Sequence, residues 1–294
     1  MATSGQLRSG KGSGDENFPV ASHLIKARYR PAILAFYEFV RVADDIADHA
    51  TLLPEQKIAH LDRLEASLLG DNNAEPEGVR LREVLRARSL SPLHAQHLLR
   101  AFRQDATKLR YANWDELIDY CRYSAMPVGR YVLDVHGERQ TTWPANDALC
   151  AALQIINHIQ DCAKDYRDLN RVYLPLDALA EHGLTVESLA APRASGALKA
   201  CLRELVQRTA LLLEESRPFA GMIEDARLAM EVAAIQALAE RLIGVLLTHD
   251  PLSERVHLSK AQMLATGGGA ALRTLTRRLF RRATPAYRPQ ARGS

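Results

Sequence analysis

Long hydrophobic runs are missing from this sequence. Nowhere do eighteen apolar residues follow one another, so no segment is expected to cross a membrane. Cysteine is sparse as well. Cys121, Cys150, Cys162 and Cys201 lie far apart without a CxxC pair, and no leader with an apolar core precedes the folded part. These absences argue against disulfides and structural zinc and point to a reducing, cytoplasmic setting with the thiols packed inside. Glycine (16) and proline (13) are modest, and no alternation of Val, Ile and Thr at period two stands out. The long segments are rich in Ala, Leu, Glu, Arg and Gln, so the expected fold class is all-α. A large excess of charge is also lacking: a net +3 over 294 residues is no polycation, and no nucleic-acid partner is expected. With 47% hydrophobic residues there is ample material for a core.

Residues 1–15 form a small, polar leader expected to be disordered, 16–266 a helical domain, and 267–294 a basic C-terminal helix and tail. Within the domain, 30–49 predicts a helix with Pro31 in its permitted first turn and an apolar surface nearly all round. Further helices are predicted over 53–69, 81–87, 91–111, 115–135 and 147–168, that over 115–135 with a break near Ala125 and Met126 because of Pro127 and Gly129. Short pieces follow at 176–181 and 186–189. Two long helices between 194 and 248, broken near Arg217 and Pro218, come next, then a helix over 253–264, a turn at Gly267, Gly268 and Gly269, and the basic last helix.

Two stripes of acids organise the chain. Gln154, Asn157, Asp161 and Asp165 are spaced three, four and four apart and project from one helix face, while the neighbours Leu153, Ile155, Ile156, Ile159 and Ala163 are apolar. Arg41, Asp44, Asp45 and Asp48 repeat the arrangement on the first helix. Solvated faces would carry Lys and Glu rather than flanking Ile, Val and Ala. Like charges four apart in an interior cleft need a compensating cation. An all-oxygen set of this kind suits hard Mg²⁺, which is held by one or two carboxylates together with substrate phosphates. A di-iron carboxylate site is the competing reading, but it needs Glu and Glu-x-x-His on inward faces. His158, the one helical histidine beside a stripe, follows Asn157 and is out of register with it. Asp105, near Lys108, Arg110 and Arg122, reads equally well as a support of the anion site or as half of a surface ion pair.

The two stripes, the Arg171-Val-Tyr173-Leu-Pro segment behind the second, and the Tyr120-Cys121 to Val128-Gly129 segment together resemble the squalene/phytoene synthase family of prenyl synthases, over about residues 16–260. Within it, the opening Glu16-Asn17-Phe18-Pro19-Val20-Ala21-Ser22 differs from the His/Ser-rich flap of squalene and phytoene synthases. It is similar to the hopanoid-pathway branch that makes hydroxysqualene from presqualene diphosphate. Lys164 also departs from the pattern, standing where relatives often have Glu, with Asp168 nearby to restore the charge.

The resemblance implies an isoprenoid-synthase helical bundle with a central cavity. It implies catalytic roles for Asp44, Asp48, Asp161, Asp165 and Tyr173, Mg²⁺ held by Asp44, Asp48, Asn157, Asp161 and Asp165, and substrate or diphosphate contacts from Arg41, Gln154, Asn157, Arg171, Phe18, Ser22 and Tyr37. Phe18, Phe36, Tyr37, Phe39, Val128 and Leu133 are candidates for the cavity wall or for ordinary core. The expected reaction is Mg²⁺-dependent ionisation of presqualene diphosphate and capture by water, giving hydroxysqualene and diphosphate. The alternatives are head-to-head condensation of farnesyl diphosphate to presqualene diphosphate, squalene or a phytoene-type product, and a non-catalytic assembly or membrane-attachment module. No Gly-rich nucleotide fingerprint accompanies the stripes. The C-terminal helix, with Leu272, Leu275, Leu279 and Phe280 among Arg273, Arg277, Arg278, Arg281 and Arg282, reads either as a peripheral contact to anionic membranes or as a solvated terminal helix. Enzymes that supply the substrate or consume the product are further partners.

Overall fold

Apolar residues recur every three to four positions along most of the chain, and each helix buries that stripe against another. The computed structural model describes residues 24–283, without the side chains of 281–283, and its helices are α1 (Arg30–Ala47), α2 (Pro54–Leu69), α3 (Pro76–Ala87), α4 (Leu93–Asp105), α5 (Trp114–Ser124), α6 (Met126–His136), α7 (Trp143–Gln160), α8 (Cys162–Leu169), α9 (Leu176–Glu181), α10 (Gly196–Ser216), α11 (Phe219–Met222), α12 (Ala226–Leu246) and α13 (Lys260–Ala283). The fold is all-α; the one β feature among the described residues is an isolated bridge between Arg110 and Val172.

Helix starts follow local chemistry. Asn113, Ser195 and Asp225 cap α5, α10 and α12 by accepting from Glu116, Leu198 and Arg227 backbone N–H groups. Pro31, Pro54 and Pro76 sit in first turns, where no intrahelical N–H is lost. The break expected around Ala125 is present: α5 stops at Ser124 and α6 starts at Met126.

Three expectations are corrected. The 91–111 helix ends at Asp105, because the backbone of 109–112 turns to accept from Val172, Leu176 and Asp177 N–H groups instead. The 147–168 helix begins earlier, at Trp143, and is interrupted at Asp161 between α7 and α8. Finally, the helix over 253–264 and the turn after it are replaced by one helix: 253–259 is non-helical, and Gly267, Gly268 and Gly269 lie inside α13, which starts at Lys260. A Cβ on Gly267 would stand 3.5 Å from that of Ala234 and 3.7 Å from Leu238, ordinary contact distances, so this position faces α12. Packing of α13 along α12 holds the helix in spite of glycine's unfavourable helix propensity.

Two hydrophobic cores result. One joins α1 to α4 with Tyr131 and Val135 of α6; the other joins α5, α7, α9, α10 and α12. Between them lies a cavity of about 430 Å³, walled by Ile33, Phe36 and Tyr37 of α1, Val128 and Leu133 of α6, Leu149 and Leu153 of α7, and the Leu228 to Ile235 face of α12. Phe36 stacks on Tyr131 with ring centroids 3.9 Å apart. Phe39 is not part of the wall; it is 0% exposed within the α1 to α4 core. A Cβ at Gly129 would fall 1.9 Å from Asn146 Oδ1, so only glycine lets α6 approach α7 at the cavity wall.

Candidate active site

The acid stripe on α1 comes with its own cations. Arg41 donates to Asp44 Oδ2 at 3.0 Å and to Asp45 Oδ1 at 3.1 Å, one turn along the same helix. Asp45 is buried and serves as Arg41's counter-ion; Asp44 and Asp48 are less enclosed. Burial first, and repulsion from Asp48 second, push the Asp44 carboxyl up to about 7 in spite of Arg41.

On the opposite side, Asp161 closes α7 in a non-helical conformation, φ −101° and ψ 7°. Its N–H nevertheless bonds to Asn157 O at 2.9 Å, and Asp165 N–H to Asp161 O at 2.8 Å, so the helical course is nearly maintained through the break. Asn157, Asp161 and Asp165 therefore remain stacked. Burial, and then Asp161, push the Asp165 carboxyl up to about 7; Lys164 opposes this and Asp48 adds to it. Arg171 links the two stripes: its backbone N–H donates to Asp165 O at 3.1 Å and its side chain reaches Asp48. Lys164 and Asp168 themselves are exposed.

Asn170 ends α8 in the left-handed region, φ 48°, which Asn tolerates better than most residues. That turn sends Arg171 back across the bundle. Its guanidinium, 6% exposed, donates to Asp48 Oδ1 at 2.9 Å, to Asp105 O at 3.0 Å and to the Tyr173 hydroxyl at 3.2 Å. Asp105 is not a surface residue: it is buried beneath this arginine and accepts from Tyr120 at 2.8 Å and from Tyr173 at 3.0 Å. Burial raises its carboxyl to about 6, with Arg171 pulling the other way. The Tyr173 hydroxyl is thus turned to Asp105, and its ring stacks on His158 at 3.5 Å. His158 is out of register with the acids, yet it is part of this support. It accepts from Gln154 Nε2 at 3.1 Å, and burial, aided by Arg171, lowers it to about 3, so the imidazole is neutral.

Gln154, Asn157 and Tyr37 line the cavity described above, which places a polar rim on an apolar chamber. Phe18 and Ser22 lie outside the described residues. Sequence reasoning missed Tyr120 and His158 as supports, and also Lys57, whose ammonium caps the end of α1 by donating to Ala47 O at 2.7 Å. Burial, and then Arg171, lower the Lys57 pKa, while Asp48 and Asp105 raise it. No pattern in the α2 sequence marks Lys57, because its neighbourhood is created by the α1–α2 turn.

Among the described residues no three His, Cys, Asp or Glu side chains converge into a closed metal cage. The acids instead form two pairs, each one helical turn apart, in which burial first and the acidic neighbour second raise the Asp44 and Asp165 carboxyls to about 7. That donor chemistry fits a hard divalent cation that keeps water and takes ligands from a bound phosphate.

The sequence pattern of the squalene/phytoene synthase family matches residues 12–262. The chain is 57% identical over 280 residues to a hydroxysqualene synthase of Rhodopseudomonas palustris, spanning 95% of this chain and 96% of that one. It is 53% identical over 270 residues to a hydroxysqualene synthase of Sinorhizobium fredii, spanning 92% of each. A crystal structure of a squalene synthase from Alicyclobacillus acidocaldarius superposes with a TM-score of 0.70 at 30% identity, covering 82% of this chain and 90% of that one. With two acid stripes over an apolar chamber and a match of this extent, the chain belongs to the squalene/phytoene synthase family.

Proposed function

We propose that this chain is an enzyme of squalene-type isoprenoid synthesis that ionises presqualene diphosphate and releases hydroxysqualene and diphosphate. The observation that carries the reading is the cavity, a chamber of about 430 Å³ whose apolar wall ends in Gln154 and Asn157 beside the acid stripes. Such a site separates an anionic leaving group at the rim from a hydrocarbon cation inside. Asp44, Asp48, Asn157, Asp161 and Asp165 would hold Mg²⁺. Bound there with the diphosphate, Mg²⁺ supplies the positive charge that makes diphosphate a competent leaving group.

The chain's own residues do the rest. Arg171, fixed by Asp48 and Asp105, and Arg41 present guanidinium groups where charge grows on the departing oxygens. Phe36, Tyr37, Val128 and Leu133 exclude bulk water, so the cation persists long enough to rearrange. One water then adds, forming a C–O bond and losing a proton, and no reductant is consumed. Incubation with presqualene diphosphate, Mg²⁺ and ¹⁸O-water without NADPH tests this. A labelled C30 alcohol is expected; squalene as the main product, or turnover only after NADPH addition, would overturn it.

The reading extends to the surface of α13. Leu264, Leu272, Leu279 and Phe280 are exposed on it, and Arg273 and Arg277 are exposed beside them. Arg278 instead turns inward and donates to Ile223 O and Glu224 O, both at 2.8 Å. None of the described helices is long and apolar enough to cross a membrane. An apolar strip edged by arginine suits peripheral contact with anionic lipid, where a C30 product would dissolve. Co-sedimentation with phosphatidylserine vesicles should fall by about 10-fold in Leu272→Glu/Leu279→Glu. Equal sedimentation of both proteins refutes the contact.

A further inference from the structure

A second cleft, separate from the chamber, opens where the end of α10, the short α11 and one side of α12 meet α13, and it holds about 680 Å³. Its charged lining is Arg217, Glu240 of α12, and Arg273, Arg277 and Arg278 of α13. Four guanidiniums thus share one carboxylate, and that carboxylate is engaged. Glu240 Oε1 accepts from Arg217 at 3.4 Å and from Gln236 at 3.1 Å, while Arg217 also pairs with Glu214 at 2.7 Å. Ser216 and Gln236, neutral groups of the lining, bond to each other at 2.7 Å. The three arginines of α13 enter no ion pair among the described residues. Arg278 donates to Ile223 O and Glu224 O at 2.8 Å and to Ala220 O at 3.4 Å, and carbonyls orient a guanidinium without neutralising it. The nearby Glu224 carboxylate is paired elsewhere, with Arg139 at 3.0 Å. Arg273 and Arg277 are exposed one turn apart, where like charges repel and weaken a helix.

We propose that this cleft binds the phosphate group of an anion, carried either by a free phosphate or by the headgroup of an anionic lipid. A guanidinium presents paired N–H donors that match two oxygens of an oxyanion. Three of them on one side of a helix offer more charge than a single carboxylate neutralises and more donors than its two oxygens accept. A phosphate group, with several oxygens and up to two charges, uses them all. Arg278 is held in place by its three carbonyls, whereas Arg273 and Arg277 reach the anion from the solvent side. The volume exceeds that of the bare ion, which leaves room for the group that the phosphate esterifies. Ala270 and Thr274 of the lining project from the side of α13 opposite Leu272 and Leu279, so the cleft is a different surface from the apolar strip. The assignment rests neither on the reaction proposed above nor on the lipid contact of that strip.

The experiment has two arms, both on the full chain without divalent cations. In one, inorganic phosphate is titrated into the protein by calorimetry; in the other, the protein is co-sedimented with phosphatidylcholine vesicles containing phosphatidic acid. Three proteins are compared: the unsubstituted chain, Arg273→Gln/Arg277→Gln, and Arg193→Gln/Arg203→Gln, which removes the same charge from exposed positions outside the cleft. Phosphate held at the acid stripes contributes equally to all three, so the difference between them reads the cleft. Binding by Arg273→Gln/Arg277→Gln is expected to fall about 10-fold in at least one arm, with the control pair within about 2-fold of the unsubstituted chain. A fall with inorganic phosphate supports the site and makes a free phosphate sufficient. A fall confined to the vesicles supports it and identifies the lipid headgroup as the carrier. An equal fall in both substituted proteins means diffuse attraction by net charge and overturns the cleft as a site. Unchanged binding in both arms overturns it as well.

Discussion

The two acid stripes look alike in the sequence and are held in opposite ways. On α1, Asp44 and Asp45 share Arg41, and Asp48 has Arg171. On α7 and α8, no ion pair among the described residues reaches Asp161 or Asp165, and Lys164 beside them is exposed. One stripe is thus ion-paired to the protein's own arginines, whereas the other has no ion-pair partner among the described residues and leaves its carboxylates to something that binds. The difference teaches where stability and function separate. Acids matched by a buried arginine belong to the scaffold as well as to the site, whereas unmatched acids lower stability and are retained for ligand binding.

Activity is the largest expected difference. Asp161→Asn and Asp165→Asn should each lower diphosphate release by on the order of 100-fold or more, and Asp44→Asn and Asp48→Asn should do the same. Chelation of divalent cations should have the same effect on the unsubstituted chain, reversed by added Mg²⁺. Near-normal turnover in any two of these variants would break the idea that the stripes act together.

Stability is where the stripes should part. Arg171→Leu leaves the buried Asp105 without its cation and should cost about 3–5 kcal/mol in urea unfolding. A loss below about 1 kcal/mol would show that the α1 side is not held by this arginine.

The pH dependence sharpens the same point. Asp105 is raised from 3.8 to about 6 by burial, so between those values the folded chain binds more protons than the unfolded one. The slope of stability against pH is then negative, and this residue's contribution is lost as pH rises from about 4 to about 6. The loss is on the order of 1–3 kcal/mol, and Asp105→Asn should flatten that part of the profile. Unfolding curves at several pH values check it; parallel profiles for both proteins would contradict it.

The smallest effect belongs to the unmatched stripe. Asp165→Asn removes like-charge repulsion from Asp161 and should leave stability unchanged or raise it by about 0.5–1 kcal/mol without Mg²⁺. A marked loss would mean that Asp165 is as well paired as Asp48.

How much of the site could be read in advance depended on the range of the interaction. Asp44 and Asp48, and likewise Asn157, Asp161 and Asp165, were legible because helical spacing lines each set up within a short segment. Helix starts were legible from Asn113 and Ser195, and the break at Ala125 from Pro127, since these signals act within a turn. Asp105 left two readings open because its partners, Tyr120 and Tyr173, are 15 and 68 residues away. The triple glycine was misleading because it reads as a turn locally, whereas it lies inside a helix packed along α12.

The sequence by itself determined the helical class, the two stripes and their oxygen chemistry, because periodicity and donor type are properties of short segments. Which stripe carries its own cations, and how Arg171 crosses from the end of α8 to Asp48 on α1, were decided only by the tertiary structure. These depend on distances between side chains remote in the chain, and packing alone sets those distances.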